Sequence, residues 1–288
     1  MSTETDHEDP RPLTAGVCGH PIAQSKSPRL FRHWLDVFGI EGHYAPLLVE
    51  PSGFDTAIRG VQAAGYRGVN CTLPHKEAAL ATADEVSDAA RDIGAANTLT
   101  FLPDGRIHAD NTDAFGFIEN MRAGAPHWDA ATGPAVMIGA GGAARAGVFA
   151  LIEAGAPEIR ITNRTGEKAE MLARHFAGKG LIVVVDWADR ADALDGAATI
   201  ANSTSLGMVG NPPLDISLDA APRTALVTDM VYNPLTTPLL AAAQARGMPT
   251  VDGLGMLLHQ ARPGFHRWFG RDPQVTDALR AACLGGPP

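Results

Sequence analysis

The chain is poor in cysteine and in aromatic residues, and each shortage excludes a class of protein. Its 288 residues include three cysteines, Cys18, Cys71 and Cys283, without the Cys-x-x-Cys spacing of zinc or redox motifs. So few cysteines, and an odd number, exclude a disulfide framework and suit a reducing compartment. Aromatic residues make up 6% of a chain that is 45% hydrophobic. Aliphatic residues such as Ala and Val therefore dominate, which is typical of buried parallel strands.

A shortage of positive charge and of long apolar runs excludes two further classes. Lys and Arg number 23 against 32 Asp and Glu, a net charge of −9. This balance disfavours nucleic acid as a partner, because that role needs a basic face. No run approaches the roughly 18 apolar residues of a membrane-spanning helix, and no signal-peptide pattern is present. We expect a cytoplasmic protein without a membrane partner, and a disordered acidic tail at residues 1–12.

Short apolar strands alternate with helical stretches along the whole chain, which predicts an α/β fold with mostly parallel sheets. The predicted strands are 15–19, 44–49, 68–72, 97–101, 106–109, 135–138, 158–162, 181–185, 197–201, 225–229 and 250–251. Helices are predicted at 28–38, 54–64, 114–121, 238–245 and 253–269, and after each of the strands 135–138 and 158–162, while several helical segments are predicted within 75–92.

A glycine-rich turn directly follows the strand at 135–138. It reads Gly139-Ala140-Gly141-Gly142-Ala143-Ala144, the pattern G-x-G-x-x-A. A dinucleotide site needs the first glycine for a tight turn and the second so that the backbone can approach a pyrophosphate. The N-terminus of the following helix then stabilises the phosphate charge. The strand before this motif and the Ala-rich stretch after it favour a dinucleotide site over an ordinary loop.

The residues after the next strand bear on the choice of cofactor. An acid there would bind the ribose of NAD, whereas basic residues accommodate the 2′-phosphate of NADP. The chain reads Asn163-Arg164-Thr165, with Glu167 and Lys168 shortly after. The two basic residues could belong to a solvated helix start. However, Asn163 stands where the acid would be, and the sequence therefore favours NADP.

Three polar clusters in the first half follow predicted strands, where open α/β sheets present functional groups. They are residues 19–28, with Ser25 and Ser27, residues 70–77, and residues 110–113. Each alone could be ordinary turn chemistry, since the hydroxyls of the first cluster could cap a helix.

Together these clusters resemble the shikimate dehydrogenase family, from about residue 16 to 268. The motifs are HPIAQSKSP, NCTLPHKE, GAANTL, DNTD, GAGGAAR, NRT, NSTSLGM, DMVY and DGLGMLLHQ, in that order. The resemblance implies the reversible NADPH-dependent reduction of 3-dehydroshikimate to shikimate, in aromatic amino-acid biosynthesis. It also implies a substrate domain of residues 13–112 completed by 253–288, a Rossmann-type domain of residues 113–252, and a cleft between them.

The resemblance also implies roles for individual residues. Lys76 and Asp113 match the catalytic pair, and Ser25 and Ser27 match hydroxyls that bind the substrate carboxylate. The ring hydroxyls are held by residues matching Asn70, Thr72, Asn97 and Gln260, and Tyr232 lines the site. The cofactor residues are Gly139, Ala140, Gly141, Gly142, Ala143, Asn163, Arg164, Thr165 and Lys168, with Met230 and Gly253 facing the nicotinamide.

The chemistry of Lys76 and Asp113 is coherent without the family. Carbonyl reduction places negative charge on oxygen, so a proton donor must lie within hydrogen-bond reach. An ammonium group supplies both charge and proton, and Asp113 would orient it. The sequence leaves open whether Lys76 is the sole general acid or acts jointly with Asp113. In isolation the two could equally form a surface ion pair.

Four further positions carry minor expectations. Ala114 stands where the family usually has glycine and Ser203 where it usually has alanine, and both small-for-small changes leave the chemistry intact. His75 is expected behind the site or at the surface. Cys71 is expected to be a small core residue rather than a nucleophile.

Two other functions stay open. A quinate dehydrogenase, or one of broader specificity, is the first, although Ser27 and Asn163 favour shikimate and NADP. A catalytically silent ligand-sensing homologue is the second, and loss of Lys76 or Asp113 would support it. The histidine spacing supports no metal site. The expected partner is a small-molecule substrate, and a homodimer is left open.

Overall fold

Two six-stranded sheets organise the part of the chain that the structure describes, residues 12–285 of a computed structural model. The acidic tail expected at residues 1–12 falls, but for its last residue, outside the described residues. No helix within residues 12–285 combines the length and the apolar character needed to cross a bilayer.

The first sheet is mixed and is built from the first part of the chain. Its strand order is β2-β1-β3-β5-β6-β4, and β5 alone runs against its neighbours. The start of β5 therefore meets the carboxyl ends of β1, β3 and β6 at one edge. The strands are β1 (Leu13–Gly19), β2 (Gly42–Leu48), β3 (Gly68–Cys71), β4 (Glu85–Val86), β5 (Thr98–Phe101) and β6 (Ile107–Asp110). The helices are α1 (Ser27–Phe38), α2 (Phe54–Ala63), α3 (Lys76–Thr82) and α4 (Asp88–Ile93).

The second sheet is parallel throughout, with the order β12-β11-β10-β7-β8-β9. This is the doubly wound arrangement, and the order reverses between β7 and β10, where such folds bind ligands. Its strands are β7 (Ala135–Ile138), β8 (Ile159–Thr162), β9 (Ile182–Val185), β10 (Thr199–Asn202), β11 (Leu226–Asp229) and β12 (Thr250–Val251). Its helices are α5 (Asp113–Gly124), α6 (Gly142–Glu153), α7 (Gly166–His175) and α8 (Pro238–Ala245).

The last two helices return to the first sheet. They are α9 (Leu254–Phe269) and α10 (Asp277–Leu284). Phe265 and Trp268 of α9 share one apolar core with Phe31 of α1 and Tyr44 of β2. The rings of Phe31 and Tyr44 stack with centroids 3.7 Å apart. Helix α9 thus completes the apolar core that α1 and β2 begin.

The structure differs from the sequence prediction in the segment 75–92. Helical segments were expected there and are present as α3 and α4, but the short strand β4 between them was not predicted. β4 pairs with β6, and Asp84 Oδ2 accepts a hydrogen bond from the backbone N–H of Ile107 at 2.9 Å. Ser87 then caps α4 by accepting from the N–H of Ala90 at 3.1 Å. The prediction also omitted α10.

Helices α5 and α9 cross at glycines and join the two sheets. A Cβ atom on Gly116 of α5 would lie 2.5 Å from Gln260 Cβ and 2.7 Å from Met256 O, both on α9. On the other side, Gly255 of α9 leaves no room for a Cβ beside Asn120. The same Asn120 donates from Nδ2 to the carbonyl of Asp252 at 2.7 Å. Only glycine permits this approach.

We predict opposite effects for two helical Gly-to-Ala changes. Gly116→Ala should lower the free energy of unfolding by about 1–3 kcal/mol, because the new methyl group overpacks the crossing. Gly60→Ala, in α2 with open space around the added atom, should raise it by about 0.5–1 kcal/mol. Urea titration of both variants checks this. Equal stability of the two would mean that α5 and α9 do not approach so closely.

Candidate active site

A cavity of about 620 Å³ lies where residues of both sheets meet. On the first sheet it opens at the edge shared by the ends of β1 and β3 and the start of β5, which explains why three polar clusters distant in sequence converge there. All nine residues predicted to contact the substrate line it: Ser25, Ser27, Asn70, Thr72, Lys76, Asn97, Asp113, Tyr232 and Gln260. From the predicted cofactor residues it receives Ala143, Met230 and Gly253.

Lys76 and Asp113 are in direct contact inside this cavity. Lys76 begins α3, Asp113 begins α5, and Lys76 Nζ donates to Asp113 Oδ2. Their side chains are only 21% and 10% exposed. This burial excludes the surface ion pair that the sequence alone could not dismiss.

Asn97 holds the other oxygen of Asp113. Its Nδ2 donates to Asp113 Oδ1 at 2.8 Å and to Gln260 Oε1 at 3.0 Å. The amide oxygen of Asn97 accepts from the backbone N–H of Thr112 at 2.8 Å, which fixes the orientation of the amide. The two oxygens of Asp113 therefore accept hydrogen bonds from different side chains, Oδ2 from Lys76 and Oδ1 from Asn97.

The serine cluster forms a polar end of the cavity. The N-cap residue of α1, Lys26, makes no side-chain cap hydrogen bond, so only Ser25 contributes to the helix start, as the alternative interpretation of the cluster expected. Ser25 Oγ accepts from the backbone N–H of Ser27 at 3.3 Å. Lys26 also lines the cavity, with Nζ 5.6 Å from the centre of the Tyr232 ring. Two hydroxyls and an ammonium group suit an anionic part of a ligand, and Lys26 was not singled out from the sequence.

Cys71 and His75 support the site from the core. Burial raises the pKa of the Cys71 thiol well above its ordinary value, which disfavours the thiolate that a nucleophile needs. His75 is 1% exposed, so the surface alternative is wrong and it lies behind the site. Its Nε2 lies 2.8 Å from the carbonyl of Val49, and its ring stacks on Phe54.

The glycine-rich turn after β7 has the form of a phosphate cradle. Gly139 has a φ of 114°, and a side chain there would collide with Ser203 Oγ. Around Gly141 and Gly142, by contrast, an added Cβ would meet no atom within 4 Å. Helix α6 begins here without a side-chain cap, so its N–H groups are available to an anion. The residues present therefore fit the pyrophosphate of a dinucleotide.

The basic residues lie at the neighbouring strand end. Ile138 of β7 pairs with Thr162 of β8, so the turns that follow these strands are adjacent. Arg164 and Lys168 are exposed, and neither pairs with a carboxylate among residues 12–285. Asn163 Nδ2 donates to the carbonyl of Thr165 at 2.8 Å and shapes the turn. This donor set fits a phosphate better than a ribose hydroxyl.

A part-buried hydrogen bond and a buried network, both missed from the sequence, hold the loops around the strand reversal. Ser203 donates from Oγ to the carbonyl of Ile138 at 2.8 Å and braces the start of the glycine-rich turn. Asp229, at the end of β11, accepts from Thr237 Oγ1 at 2.7 Å and from the backbone N–H of Val231 at 3.0 Å. Burial raises the pKa of Asp229, and these donors oppose the increase. The network fixes Met230 beside the cavity.

Within the described part of the chain, no group of three or more His, Cys, Asp or Glu side chains is arranged to hold a metal ion.

Three family models match successive parts of the chain. The Shikimate dehydrogenase substrate binding domain matches residues 17–99, and the Shikimate / quinate 5-dehydrogenase model matches residues 125–207. The Shikimate 5'-dehydrogenase C-terminal domain matches residues 253–284. The first of these covers most of the first sheet but not β6, and the last covers the two helices that return to that sheet.

Individual relatives cover nearly the whole chain. Proteins named shikimate dehydrogenase (NADP(+)) from Dinoroseobacter shibae and Paracoccus denitrificans are 57% and 56% identical over 270 residues. These residues are 94% of this chain and 96% and 95% of the two relatives. A solved structure of shikimate 5-dehydrogenase from Thermus thermophilus, in complex with NADP(H) and shikimate, is 36% identical with a TM-score of 0.84. That match covers 95% of this chain and 99% of the solved one.

Gly141→Ala tests the phosphate cradle. The backbone of Gly141 is extended and its surroundings are open, so the free energy of unfolding should change by less than about 1 kcal/mol. The methyl group would occupy the space through which a pyrophosphate approaches, and the affinity for NADP should fall about tenfold or more. Calorimetric titration measures this, with Gly60→Ala as the control. Unchanged affinity would place the phosphates elsewhere.

Proposed function

The chain belongs to the shikimate dehydrogenase family, and on this premise we propose that it catalyses the reversible NADPH-dependent reduction of 3-dehydroshikimate to shikimate. The reaction belongs to aromatic amino-acid biosynthesis. The observation that carries the proposal is the buried pair of Lys76 and Asp113 in a cavity that also receives the end of the glycine-rich turn. A proton donor and a dinucleotide cradle are the two components that carbonyl reduction needs.

The substrate is bound by complementary groups on the cavity wall. Ser25 and Ser27 donate to its carboxylate, and the ammonium group of Lys26 adds charge attraction. The ring hydroxyls exchange hydrogen bonds with Asn70, Thr72, Asn97 and Gln260, while Tyr232 closes the side of the cavity. These contacts keep the carboxylate distant from Lys76, and the carbonyl group is then directed towards Lys76.

NADP is bound at the carboxyl ends of β7 and β8. The N–H groups of residues 139–143 hold the pyrophosphate, and Arg164 and Lys168 hold the 2′-phosphate together with Asn163 and Thr165. Met230 and Gly253 border the nicotinamide. When bound, NADPH supplies the hydride for the reduction.

Lys76 holds the proton that the substrate oxygen receives. Asp113 accepts a hydrogen bond on each of its oxygens, so it is the acceptor in its contact with Lys76 rather than the donor. Its role is to orient the ammonium group of Lys76 and to stabilise its charge. This geometry favours Lys76 as the general acid and Asp113 as the group that positions it, the point that the sequence left open.

We propose that the two domains bind different ligands. Residues 13–112 with 253–288 bind the substrate, and residues 113–252 bind NADP. Approach of the two parts would exclude water from the cavity. A cytoplasmic location agrees with three buried free cysteines within residues 12–285, and the homodimer stays a prediction without a structural argument.

A spectrophotometric assay tests the function. Shikimate with NADP should give NADPH, with a kcat/KM at least about tenfold above that with quinate or with NAD. A higher kcat/KM for quinate with NAD would favour the quinate dehydrogenase. Tight binding of both ligands without turnover would favour the ligand-sensing homologue.

Lys76→Ala tests the proton donor. Loss of a positioned general acid should lower kcat by about 100-fold to 10,000-fold. Binding of NADP should change little, because the cradle lies on the other sheet. Steady-state kinetics and a separate NADP titration distinguish the two effects. A variant with near-normal kcat would exclude the proposed role.

A further inference from the structure

A chain of buried hydrogen bonds leads from Tyr44 to Asp113. The Tyr44 hydroxyl lies 2.6 Å from Asn70 Oδ1, and Asn70 Nδ2 lies 3.0 Å from Thr98 Oγ1. Thr98 Oγ1 lies 3.0 Å from Asn97 Oδ1, and Asn97 Nδ2 lies 2.8 Å from Asp113 Oδ1. We propose that Tyr44 is a positioning residue of the reaction and acts on Asp113 through this set of side chains, the Tyr44 relay.

Backbone groups fix the direction of the relay. The carbonyl of Asn97 can only accept, and it lies 3.2 Å from Asn70 Nδ2, so the amide oxygen of Asn70 faces Tyr44. The backbone N–H of Thr112 can only donate to Asn97 Oδ1, so Asn97 Nδ2 faces Asp113. Thr98 accepts from Asn70, and its own proton points to Asn97 Oδ1 at 3.0 Å, which is nearer than Thr112 Oγ1 at 3.3 Å. Every donor therefore points towards Asp113.

Tyr44 is a fixed starting point for this relay. Asn70 Oδ1 can only accept, so the phenol must be the donor. Burial raises the pKa of the Tyr44 phenol well above its ordinary value, and the neighbouring Cys18 and Cys71 thiols add to the increase. The phenol therefore keeps its proton at neutral pH. Its ring is held against Phe31 at an interplanar angle of 10°.

The relay has its largest effect when Lys76 gives up its proton. Before that step Asp113 faces an ammonium group on Oδ2 and the relay on Oδ1. Once the proton has moved from Lys76 Nζ to the substrate oxygen, the positive charge is gone and the donor on Oδ1 remains. Hydrogen bonds in series polarise one another and strengthen the last of them. The relay should therefore contribute to kcat more than to substrate binding.

This inference rests on the proposed function, and a pair of Tyr-to-Phe variants tests it. Tyr44→Phe removes the hydroxyl and keeps the ring stack. We expect kcat to fall about tenfold, while the KM for shikimate changes by less than about threefold. Tyr66→Phe is the matched control, because Tyr66 packs against a different core cluster of the same sheet. It should leave kcat and KM within about twofold of the parent values.

Thr98 provides a second, independent test. Thr98→Val removes the middle hydroxyl without changing the shape of the side chain and should lower kcat, while Thr98→Ser restores the hydroxyl and should recover it. If Tyr44 acts through Thr98, the double variant Tyr44→Phe, Thr98→Val should be no slower than the slower single variant.

Three results of these experiments would contradict the proposed relay, and each can be recognised separately. A raised KM with unchanged kcat for Tyr44→Phe would limit Tyr44 to orienting Asn70 and overturn the relay. Additive losses in the double variant would overturn it as well, as would failure of Thr98→Ser to recover activity. NADP affinity and thermal unfolding show whether each variant is folded.

If the parent protein does not oxidise shikimate, the proposed function fails. The relay is then tested by the same double-mutant cycle in free energy of unfolding, where additivity would overturn it.

Discussion

Lys76 and Asp113 carry opposite charges in a largely buried place, and much of the surrounding structure serves to make that arrangement stable. Removing an ion from water costs on the order of several kcal/mol unless its remaining hydrogen-bonding groups are satisfied. Lys76 also begins α3, where the positive end of the helix dipole disfavours a cation, so its stability depends on Asp113. Asp113 begins α5, the helix that leads into the second sheet. The contact therefore joins the first residues of two helices, one in the first sheet's part of the chain and one leading into the second sheet.

The sequence predicts those helices and strands whose residue pattern is local. It does not predict elements that form only because they pack against a distant part of the chain. Alternating apolar strands and helices predict both sheets, and the parallel series from β7 onwards agrees with the expected bounds to within two residues. The two-residue strand β4 has no pattern of its own and exists because β6 lies beside it. Helix α10 is short and is stabilised by packing Leu279 and Cys283 into the first core. Neither feature has a sufficient signal within its own residues.

The same distinction applies to the site. The motifs at strand ends predict the residues that line the cavity, because polar side chains directly after an apolar strand are easily recognised in the sequence. Tyr44 and Thr98 lie within strands and resemble core residues, and their hydroxyls become significant only through Asn70 and Asn97. Lys26 was overlooked because two serines beside it already explained the motif. Net charge was uninformative about the ligand, since a few local donors outweigh a distant acidic surface.

The return of α9 to the first sheet determines the order in which the protein can mature. Gln260, Phe265 and Trp268 are synthesised after the strands of both sheets, yet they complete the cavity and the core around Phe31. While the chain is still emerging from the ribosome, the second sheet can assemble from its own sequential strands, but the first cannot bury its aromatic side chains. The core around Phe31 therefore forms only after α9 has been synthesised, and a nascent chain lacking α9 has an incomplete active site.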